Sequence, residues 1–578
     1  GDGRRATGDG RRATGDGRRA TGDGRRATGD GRSAMRSVLF AARSAVALYR
    51  LLDTAPVFAG DPRVSRHFTL VPGSDFGVDA LSVVDALGGR TVPWEEARRS
   101  TYDLVVAASP KGELSQLGGT RVLLPHGAGF SKTIRDEGSA DSASGLDPVH
   151  LRRAPIALHA MAHPGQIARL ATADPEAARR ARVVGDPTLE RLLASRPLRD
   201  RYRAALGTGA RTLVALTSTW GPESLLRRRP DLPAELAAHL PYDAYQLALI
   251  VHPNEHSLLG TYDLTERLAP ALDAGLILAA PREEWASVLV AADALITDHG
   301  STALYFAALG DRPVLAAERG GPELIPASPM DVLLRAVPEL GSSTDHATDL
   351  AAALHAYRPG ATRPAAEAAF THEGHALDRL RTELYALLDL TPPPSPPPLR
   401  LLPTPTPALR VPTAFDTHAD LTPAGLHLTR HPVGLAPPGH HLAVEHGTST
   451  DRLTDTAGVL YRRPLPDTPT WTSDGWTRHA LDDHPACRTA GALHPTGEAL
   501  LRFRGRQLPY TSRIEPRTEP DGRITTVDPA LAVSAAHVWT GANRGWGGEP
   551  VEFNCRVGQG EFMVRLREAT SDEADTPV

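Results

Sequence analysis

Three clusters of polar residues, each directly after an apolar run, carry the chemistry that this sequence suggests. The first contains His126, Gly127, Gly129 and Lys132. An imidazole is well suited to accept a proton from a hydroxyl group near neutral pH. Glycines let the backbone come close to a ligand and turn its N–H groups toward it. A lone histidine would more often simply close a loop, but the glycines and the lysine after His126 favour a catalytic base in a ligand-binding loop.

The same stretch has the outline of a phosphate-binding P-loop, because Lys132 is followed by a threonine. That motif needs glycine immediately before the lysine, and here Ser131 stands in its place. The sequence therefore does not predict a GTPase or an ATPase. Lys132 remains notable because the chain contains only one other lysine, Lys111, among 63 basic residues.

The second cluster is His252, Pro253, Asn254 and the nearby His256, at the end of the apolar run 247–251. A neutral His252 would donate a hydrogen bond to a phosphate oxygen, and a protonated one would offset the charge on a leaving phosphate. A metal site shared with His256 is disfavoured, because Pro253 makes a continuous helix through both histidines improbable.

The third cluster is Asp298, Gly300, Ser301 and Thr302, between an apolar run and a helical pattern. Free backbone N–H groups at the start of a helix form a ready site for phosphate. The alternative is that Asp298 and Ser301 are ordinary helix caps. We predict that this turn binds part of the substrate.

The elements that must position these clusters follow a βαβ rhythm from Met35 to about residue 390, which predicts an α/β protein with parallel sheets. In such sheets ligands bind at the carboxyl ends of the strands, where all three clusters fall. A helical pattern over 365–390 predicts a terminal helix that packs back on the first lobe. The predicted strands are 37–41, 68–71, 103–108, 121–125, 156–159 and 182–184 in a first sheet, and 212–217, 246–251, 276–280, 294–297 and 313–316 in a second.

Composition excludes several classes of protein. The 578 residues carry a formal net charge of −5, so no overall basic field favours nucleic acid. The apolar runs are far shorter than the roughly 20 residues that cross a bilayer. Cys487 and Cys555 alone cannot form a disulfide scaffold, which favours a reducing cytoplasm. Arg152, Arg153 and Arg180 are candidates for peripheral contact with anionic lipid at the inner face of the membrane, although a solvated helix face is the simpler explanation.

The sequence predicts five segments. Residues 1–34 repeat Gly-Asp-Gly-Arg-Arg-Ala-Thr without large apolar residues, so we expect disorder rather than a coiled coil, and a translated repeat ahead of a natural start at Met35 is favoured over a phosphate-binding arm. Two Rossmann-like lobes follow at 35–195 and 196–390. Residues 391–413 are rich in proline and predict a stiff spacer.

Residues 414–578 predict a small β-rich domain. Four of the seven tryptophans lie there, and we expect most of them to fill a core. A zinc site made by His484, Cys487 and Cys555 has only weak support, because a second Cys-x-x-Cys is missing. Short apolar runs that predict strands cover 441–444, 458–462, 499–503 and 561–566.

Over about residues 36–390 the chain resembles the CDP-glycerol glycerophosphotransferase family, enzymes that build glycerol phosphate chains of the teichoic acid type, and more broadly glycosyltransferases of the GT-B fold. Its motifs are matched by Pro125-His126-Gly127, by Val251-His252-Pro253 and, less closely, by Thr297-Asp298-His299-Gly300-Ser301. Weaker matches are Val184-Gly185-Asp186-Pro187 and the stretch 216–220, which contains Thr219.

The resemblance implies a transferase with two lobes of the GT-B type, a nucleotide-activated donor and a hydroxyl acceptor, for which a lipid-linked compound is a candidate. It implies that His126 is the general base. It also implies that His252 holds the donor pyrophosphate together with Ser301 and Thr302, in an inverting reaction without metal or cofactor.

Departures from the family pattern leave the donor open. Gly221 and Thr188 stand where the family has arginines, and His299-Gly300 replaces Tyr-Ser. Lost guanidinium groups mean lost bidentate phosphate contacts. The alternatives are therefore a glycosyltransferase that uses a nucleotide sugar and a non-catalytic ligand-binding descendant of the fold. An epimerase that uses acidic residues such as Glu283 and Glu284 ranks below both.

Overall fold

The computed structural model describes residues 35–73, 80–132, 148–153, 155–371, 374–465 and 468–578. Two parallel α/β sheets are followed by a closed β-barrel. The heptapeptide repeat at 1–34 lies outside the described residues. No helix among the described residues has the length and apolar character needed to cross a bilayer.

The first sheet has six parallel strands in the order β2-β1-β3-β4-β5-β6. Its central strands are buried on both faces, as in β1 and β3, because helices cover both sides of a parallel sheet. The strands are β1 (Arg36–Ala42), β2 (Val64–Leu70), β3 (Thr101–Ala107), β4 (Gly118–Leu123), β5 (Leu158–Met161) and β6 (Ala181–Val183). The helices are α1 (Ala45–Thr54), α2 (Ala80–Ala86), α3 (Trp94–Ala97), α4 (Pro148–Arg153), α5 (Pro164–Ala173) and α6 (Pro175–Arg179).

The second sheet has five parallel strands in the order β11-β10-β7-β8-β9. The chain adds β8 and β9 on one side of β7, and then β10 and β11 on its other side. The boundary between β7 and β10 is therefore a topological switch point, where such folds bind ligands. The strands are β7 (Thr212–Ser218), β8 (Tyr245–Val251), β9 (Ile277–Leu278), β10 (Ala294–Thr297) and β11 (Val314–Ala316). Both predicted parallel sheets are confirmed.

Twelve α-helices connect and cover this second half of the α/β region. Of these, α11 is interrupted at Gly260, whose φ is 71°. They are α7 (Pro187–Ser195), α8 (Arg199–Ala205), α9 (Leu225–Arg228), α10 (Leu232–His239), α11 (Pro253–Arg267), α12 (Ala269–Asp273), α13 (Glu284–Ala291), α14 (Thr302–Leu309), α15 (Pro329–Ala336), α16 (His346–Ala356), α17 (Arg363–Ala369) and α18 (Ala376–Leu387).

The predicted terminal helix is two helices, α17 and α18. Gly374, just before α18, has a φ of 78°, which is not compatible with a continuous α-helix. The return to the first lobe is confirmed. Leu380 and Tyr385 of α18 are fully buried in the core of the first sheet. The Tyr385 hydroxyl donates a hydrogen bond to Asp61, at 3.0 Å.

The proline-rich segment 391–413 has no helix or strand, as its composition predicts, but it lies against the α/β region instead of standing free as a spacer. A polyproline chain makes no internal hydrogen bonds, so its carbonyl oxygens are available to neighbouring donors. The bonds run from Arg191 Nε to Arg400 O (2.9 Å), from Tyr202 Oη to Leu402 O (2.6 Å) and from Ser287 Oγ to Pro403 O (2.6 Å).

The C-terminal region is a closed barrel of nine strands. The predicted β-rich domain is thus confirmed, and the structure adds that its sheet is closed. Two short strands, β19 (Arg517–Thr518) and β20 (Ile524–Thr525), pair outside it. The barrel strands are β12 (Ala414–Thr422), β13 (Gly425–Pro432), β14 (His441–Glu445), β15 (Val459–Arg462), β16 (Thr489–Leu493), β17 (Glu498–Phe503), β18 (Tyr510–Ile514), β21 (Val551–Val557) and β22 (Gly560–Glu568). The helices are α19 (Asp451–Thr456), α20 (Ser473–Asp483), α21 (Ala530–Ala542) and α22 (Ser571–Ala574).

Helix α21 runs through the interior of this barrel. It packs against strands on all sides, from β12 and β13 through β15–β18 to β22, and its residues 530–536 are all buried. Gly491 on β16 allows this close approach, since a Cβ there would lie 2.7 Å from a Val533 methyl group. The apolar helix therefore supplies the core of the barrel.

The aromatic and thiol side chains of this region are mainly structural. Trp476 and Trp546 are buried, whereas Trp471 is 38% exposed and stacks on a histidine. Burial raises the pKa of Cys487 to about 11 and that of Cys555 to about 12, so both are neutral thiols. They lie in separate apolar clusters, and the zinc site considered with His484 is not assembled among the described residues.

A buried arginine joins the barrel to the second lobe. Arg430 on β13 is 2% exposed and forms two hydrogen bonds to Asp243, at 2.8 and 2.6 Å. It also contacts Asp528, at 3.1 Å, within the barrel. The two carboxylates compensate the buried guanidinium, which makes this contact sensitive to loss of the positive charge.

We therefore expect Arg430→Met to destabilise the protein by about 3–5 kcal/mol, because Asp243 would be left buried without its cation. Calorimetry should show a lower unfolding temperature. The control is Arg556→Met, which removes an exposed pair with Glu561 and should cost less than about 1 kcal/mol. Equal effects of the two substitutions would contradict this assignment.

Candidate active site

The three polar clusters meet in one cleft between the two sheets. About 1220 Å³ of space lies between its walls, a figure that includes open solvent. The predicted residues that line it are His126, Gly127, Gly129, Lys132, Thr219, His252, Pro253, Gly300, Ser301 and Thr302. Asn254 and Asp298 are buried behind its wall and do not line it.

His126 enters the cleft from the first lobe, three residues after the end of β4. It is partly exposed, which leaves its imidazole accessible to a ligand. The next residue, Gly127, faces the second lobe, because a Cβ there would lie 3.2 Å from Ser301 Oγ. Gly129 has a φ of 67°, a conformation that favours glycine. The first and third clusters therefore oppose each other across the cleft.

His252 follows β8 directly and caps helix α11. Its Nδ1 accepts a hydrogen bond from the backbone N–H of Asn254, at 3.1 Å. Burial lowers the pKa of His252 well below its usual value, and nearby Lys132 and His126 add to the shift. The side chain is therefore neutral at pH 7, with its proton on Nε2, where it is a hydrogen-bond donor.

Helix α14 begins at the third cluster. Among the described residues, no acceptor pairs with the backbone N–H groups of Ser301 and Thr302, and the Ser301 hydroxyl makes no capping bond. These donors and the helix dipole make this end attractive for an anion. Ser301 and Thr302 line the cleft, so a bound phosphate would meet their N–H groups there.

Asp298 organises this turn from behind. One carboxylate oxygen accepts a hydrogen bond from Gly300 N, at 2.9 Å. The other accepts from Thr219 N, at 2.9 Å, and from Leu225 N, at 2.8 Å. With its side chain fully buried and bonded to backbone N–H groups, Asp298 holds the loops after β7 and β10 together. It does not occupy the N-cap position of α14, which is Ser301, and Ser301 makes no capping bond, so neither residue is the ordinary helix cap of the alternative interpretation.

Lys132 crosses from the first lobe to the second. Its ammonium group donates to the carbonyl oxygen of Trp220, lies 4.5 Å from the centre of the Trp220 ring and forms an ion pair with Glu323, at 3.3 Å. Glu323 also accepts a hydrogen bond from His299 Nε2, at 2.8 Å. Burial lowers the pKa of Lys132, while Glu323 opposes that shift.

Lys132 also explains the glycine at 221. A Cβ built at Gly221 would lie 3.3 Å from Lys132 Nζ and 3.1 Å from Glu323 Oε1. Gly221 has a φ of 97°, so the position disfavours any larger residue. The cation at this point of the cleft is therefore Lys132, from the first lobe. The family resemblance would instead place an arginine here, at position 221 of the second lobe.

Sequence reasoning missed the residues that connect the two lobes. Arg50 on α1 pairs with Asp186 at 2.9 Å and donates to Thr188 Oγ1 and Tyr305 Oη, both at 2.7 Å. The Tyr305 hydroxyl donates to Asp186, at 2.8 Å. No motif marks Arg50, but an arginine within an otherwise apolar helical stretch was the signal available.

Two further cleft residues also escaped prediction. Arg282, after β9, lines the cleft and makes no hydrogen bond or ion pair with any other residue that the structure describes. Trp285 on α13 lies beside it and packs edge-on against Tyr305, with ring centres 5.8 Å apart. Arg282 is therefore a guanidinium available to a ligand.

Comparisons with known proteins give similarity to solved structures alone. No family model matches the sequence, and no curated protein matches it. A variant of the wall teichoic acid polymerase TagF aligns at 14% identity, covering 61% of this chain and 89% of its own, with a TM-score of 0.44. The Anabaena protein HepE with UDP and glucose aligns at 14% identity over 61% and 100% of the two chains, with a TM-score of 0.38.

The UDP complex of S. aureus MnaA aligns at 11% identity, over 62% of this chain and 98% of its own, with a TM-score of 0.38. Values this low establish neither a family nor an activity for the chain.

The buried neutral His252 predicts that acid destabilises the protein. The unfolded chain protonates this residue below about pH 6.5, whereas the folded chain resists protonation, so acidification favours unfolding. The variant His252→Asn keeps a side chain able to cap α11. We expect its unfolding temperature to fall less than that of the wild type when the pH is lowered from about 7.5 to 5.5. Scanning calorimetry measures this difference.

The matched control is His427→Asn, at an exposed position on β13, which should follow the wild-type pH dependence. An identical pH dependence in His252→Asn and the wild type would show that His252 protonates as easily in the folded chain as in the unfolded one.

Proposed function

We propose that the protein is a transferase that moves a polyol phosphate group from a CDP-activated donor to an acceptor hydroxyl, within a GT-B-type cleft. The observation that carries this proposal is the convergence of His126, from one sheet, with His252 and the α14 N-terminus, from the other. A candidate base lies on one wall, and groups that can donate hydrogen bonds to a phosphate lie on the opposite wall.

The first lobe supplies the base. His126 is partly exposed to the cleft, and its imidazole takes the proton of the acceptor hydroxyl. The acceptor oxygen then forms a bond to the β-phosphorus of the CDP-alcohol, while the bond from that phosphorus to the bridging oxygen breaks. CMP leaves with the electron pair, and the hydroxyl proton remains on His126.

The second lobe stabilises the leaving nucleotide. His252 is neutral and presents Nε2–H, while Ser301 and Thr302 offer backbone N–H groups and hydroxyls. Such fixed donors stabilise negative charge that develops on a phosphate oxygen. Because His252 is held by its bond to Asn254, its orientation requires no rearrangement during the reaction.

Arg282 is the cation that we expect to balance the charge of the donor phosphates. Lys132 is paired with Glu323 and therefore contributes little net positive charge. Arg282 has no such partner among the described residues and offers a planar pair of donors that matches a phosphate. It is the residue that we assign to the pyrophosphate in place of the arginines absent at 188 and 221.

A nucleotide-sugar donor is the second candidate. Thr188 is fully engaged, since its hydroxyl bonds both Arg50 and Asp53 at 2.7 Å, and Gly221 has no side chain. Two of the family's phosphate-binding guanidinium groups therefore have no equivalent at these positions. In this alternative the acceptor oxygen attacks the anomeric carbon, and a nucleoside diphosphate leaves instead of CMP.

The decisive experiment measures nucleotide release from CDP-glycerol, CDP-ribitol and UDP-sugars in the presence of hydroxyl acceptors. We expect His126→Asn to lower kcat by about 100-fold or more, because it removes the base, with little change in donor Kd. His252→Asn should weaken both the donor affinity and kcat.

Release of CMP identifies the polyol phosphate reaction, and release of UDP identifies the glycosyl transfer. The control His427→Asn lies on the barrel surface and should leave both parameters unchanged. Wild-type rates in both active-site variants would overturn the mechanism, and donor binding without turnover in the wild type would identify a non-catalytic descendant.

We further expect Arg282→Gln to weaken donor binding about tenfold, because a charge-assisted hydrogen bond to phosphate contributes about 1.5–3 kcal/mol. Titration calorimetry with CDP-glycerol and with cytidine distinguishes a loss of affinity for the phosphates from a loss of affinity for the nucleoside. Only the phosphorylated ligand should lose affinity. An equal loss for cytidine would place Arg282 against the nucleoside instead of the phosphates.

A further inference from the structure

Three histidines gather at one end of the C-terminal barrel, outside the cleft. His440 and His441 stand at the start of β14, and His537 lies on the interior helix α21. One ring nitrogen from each lies within 4.8 Å of the other two. The ring centres of His441 and His537 are 4.8 Å apart, and those of His440 and His537 are 5.9 Å apart.

One pair of ring nitrogens, which share a hydrogen bond in the structure, has nearly the spacing of two metal ligands. The Nδ1 atoms of His440 and His441 are 3.1 Å apart. Two imidazole nitrogens bound to one tetrahedral Zn²⁺ at about 2.0–2.1 Å would lie about 3.4 Å apart. A displacement of a few tenths of an ångström therefore brings this pair to the spacing of two ligands on one ion.

Hydroxyl groups hold the two inner rings by their other nitrogens. His441 Nε2 is 2.9 Å from Ser534 Oγ, and His537 Nδ1 is 2.8 Å from Thr489 Oγ1. These contacts use one nitrogen of each inner ring, so His441 Nδ1, which is 3.1 Å from His440 Nδ1, and His537 Nε2 are the nitrogens left for a metal ion. Metal-binding histidines characteristically use the second ring nitrogen in this way, which fixes both the ring orientation and the tautomer.

The surroundings of the three rings also fit a metal ligand set. No carboxylate pairs with any of the three rings in the described part of the chain. Neutral imidazole is the form that binds transition metals.

From this geometry we propose that His440, His441 and His537 bind a divalent transition metal ion, with Zn²⁺ as the preferred occupant. His440 is exposed, so the fourth coordination position faces solvent and takes water or an exchangeable anion. Three protein ligands with one open position are typical of a reactive zinc site, whereas a structural site has four protein ligands. The proposal does not depend on the transferase activity, because the site shares no residue with the cleft.

The test uses the full chain, treated with a chelator and then freed of it. Zn²⁺ titration by calorimetry should give one site, and Co²⁺ should produce the intense visible absorption of a tetrahedral ion. His440→Ala is the key variant because its side chain is exposed and its loss should not affect folding. We expect its Zn²⁺ affinity to fall by at least about tenfold.

Two more variants test whether a loss of Zn²⁺ affinity is specific to the three-histidine site or follows any substitution in the barrel. Ser534→Ala should weaken Zn²⁺ binding about tenfold by releasing the His441 ring, with the Co²⁺ spectrum still tetrahedral. His427→Ala removes an exposed histidine from the same barrel and should change nothing. Zn²⁺ should also raise the unfolding temperature of the wild type by more than that of His440→Ala at the same Zn²⁺ concentration.

Absence of a saturable Zn²⁺ site, or equal affinity in His440→Ala and His427→Ala, would overturn the proposal. An octahedral Co²⁺ spectrum would do the same, since it would indicate weak binding by scattered surface groups.

Discussion

One largely buried guanidinium, that of Arg50, links the two sheets. Arg50 donates hydrogen bonds to the carbonyl oxygen of Pro125, next to His126, and to the Tyr305 hydroxyl, on the helix that begins after Ser301. Asp186 compensates its charge, and burial of such a pair makes removal of either partner costly. This network, together with the Lys132–Glu323 ion pair, therefore links the wall that carries His126 to the wall that carries Ser301 and Thr302.

Within the second lobe, the cleft is shaped by capping interactions as much as by side chains that face a ligand. His252 caps α11 with Nδ1, which leaves Nε2–H for the cleft. Asp298 accepts hydrogen bonds from three backbone N–H groups, and the N–H groups of Ser301 and Thr302, at the start of α14, have no acceptor within the described part of the chain. One buried carboxylate thus takes up the backbone donors behind the cleft, while donors that line it keep their orientation.

The remaining segments attach to this α/β region through polar contacts. The proline-rich segment is bound along its carbonyl oxygens by Tyr202 and Ser287. The barrel is joined to the second lobe by Arg430 and Asp243. In both cases the sequence shows the local conformation, extended chain or strand, but it does not show which distant donor will meet it.

The sequence by itself determined the parallel α/β class, the position of every strand of both sheets to within a few residues, and the three polar clusters of the cleft, because apolar runs that end in Gly, Pro or His are local signals. Tertiary structure alone decided that Asp298 is buried, that Lys132 pairs with Glu323 and that Arg282 faces the cleft. It also assembled His440 with His537, about a hundred residues away. These outcomes depend on which side chains reach a common point, a property of packing between distant segments that local periodicity does not encode.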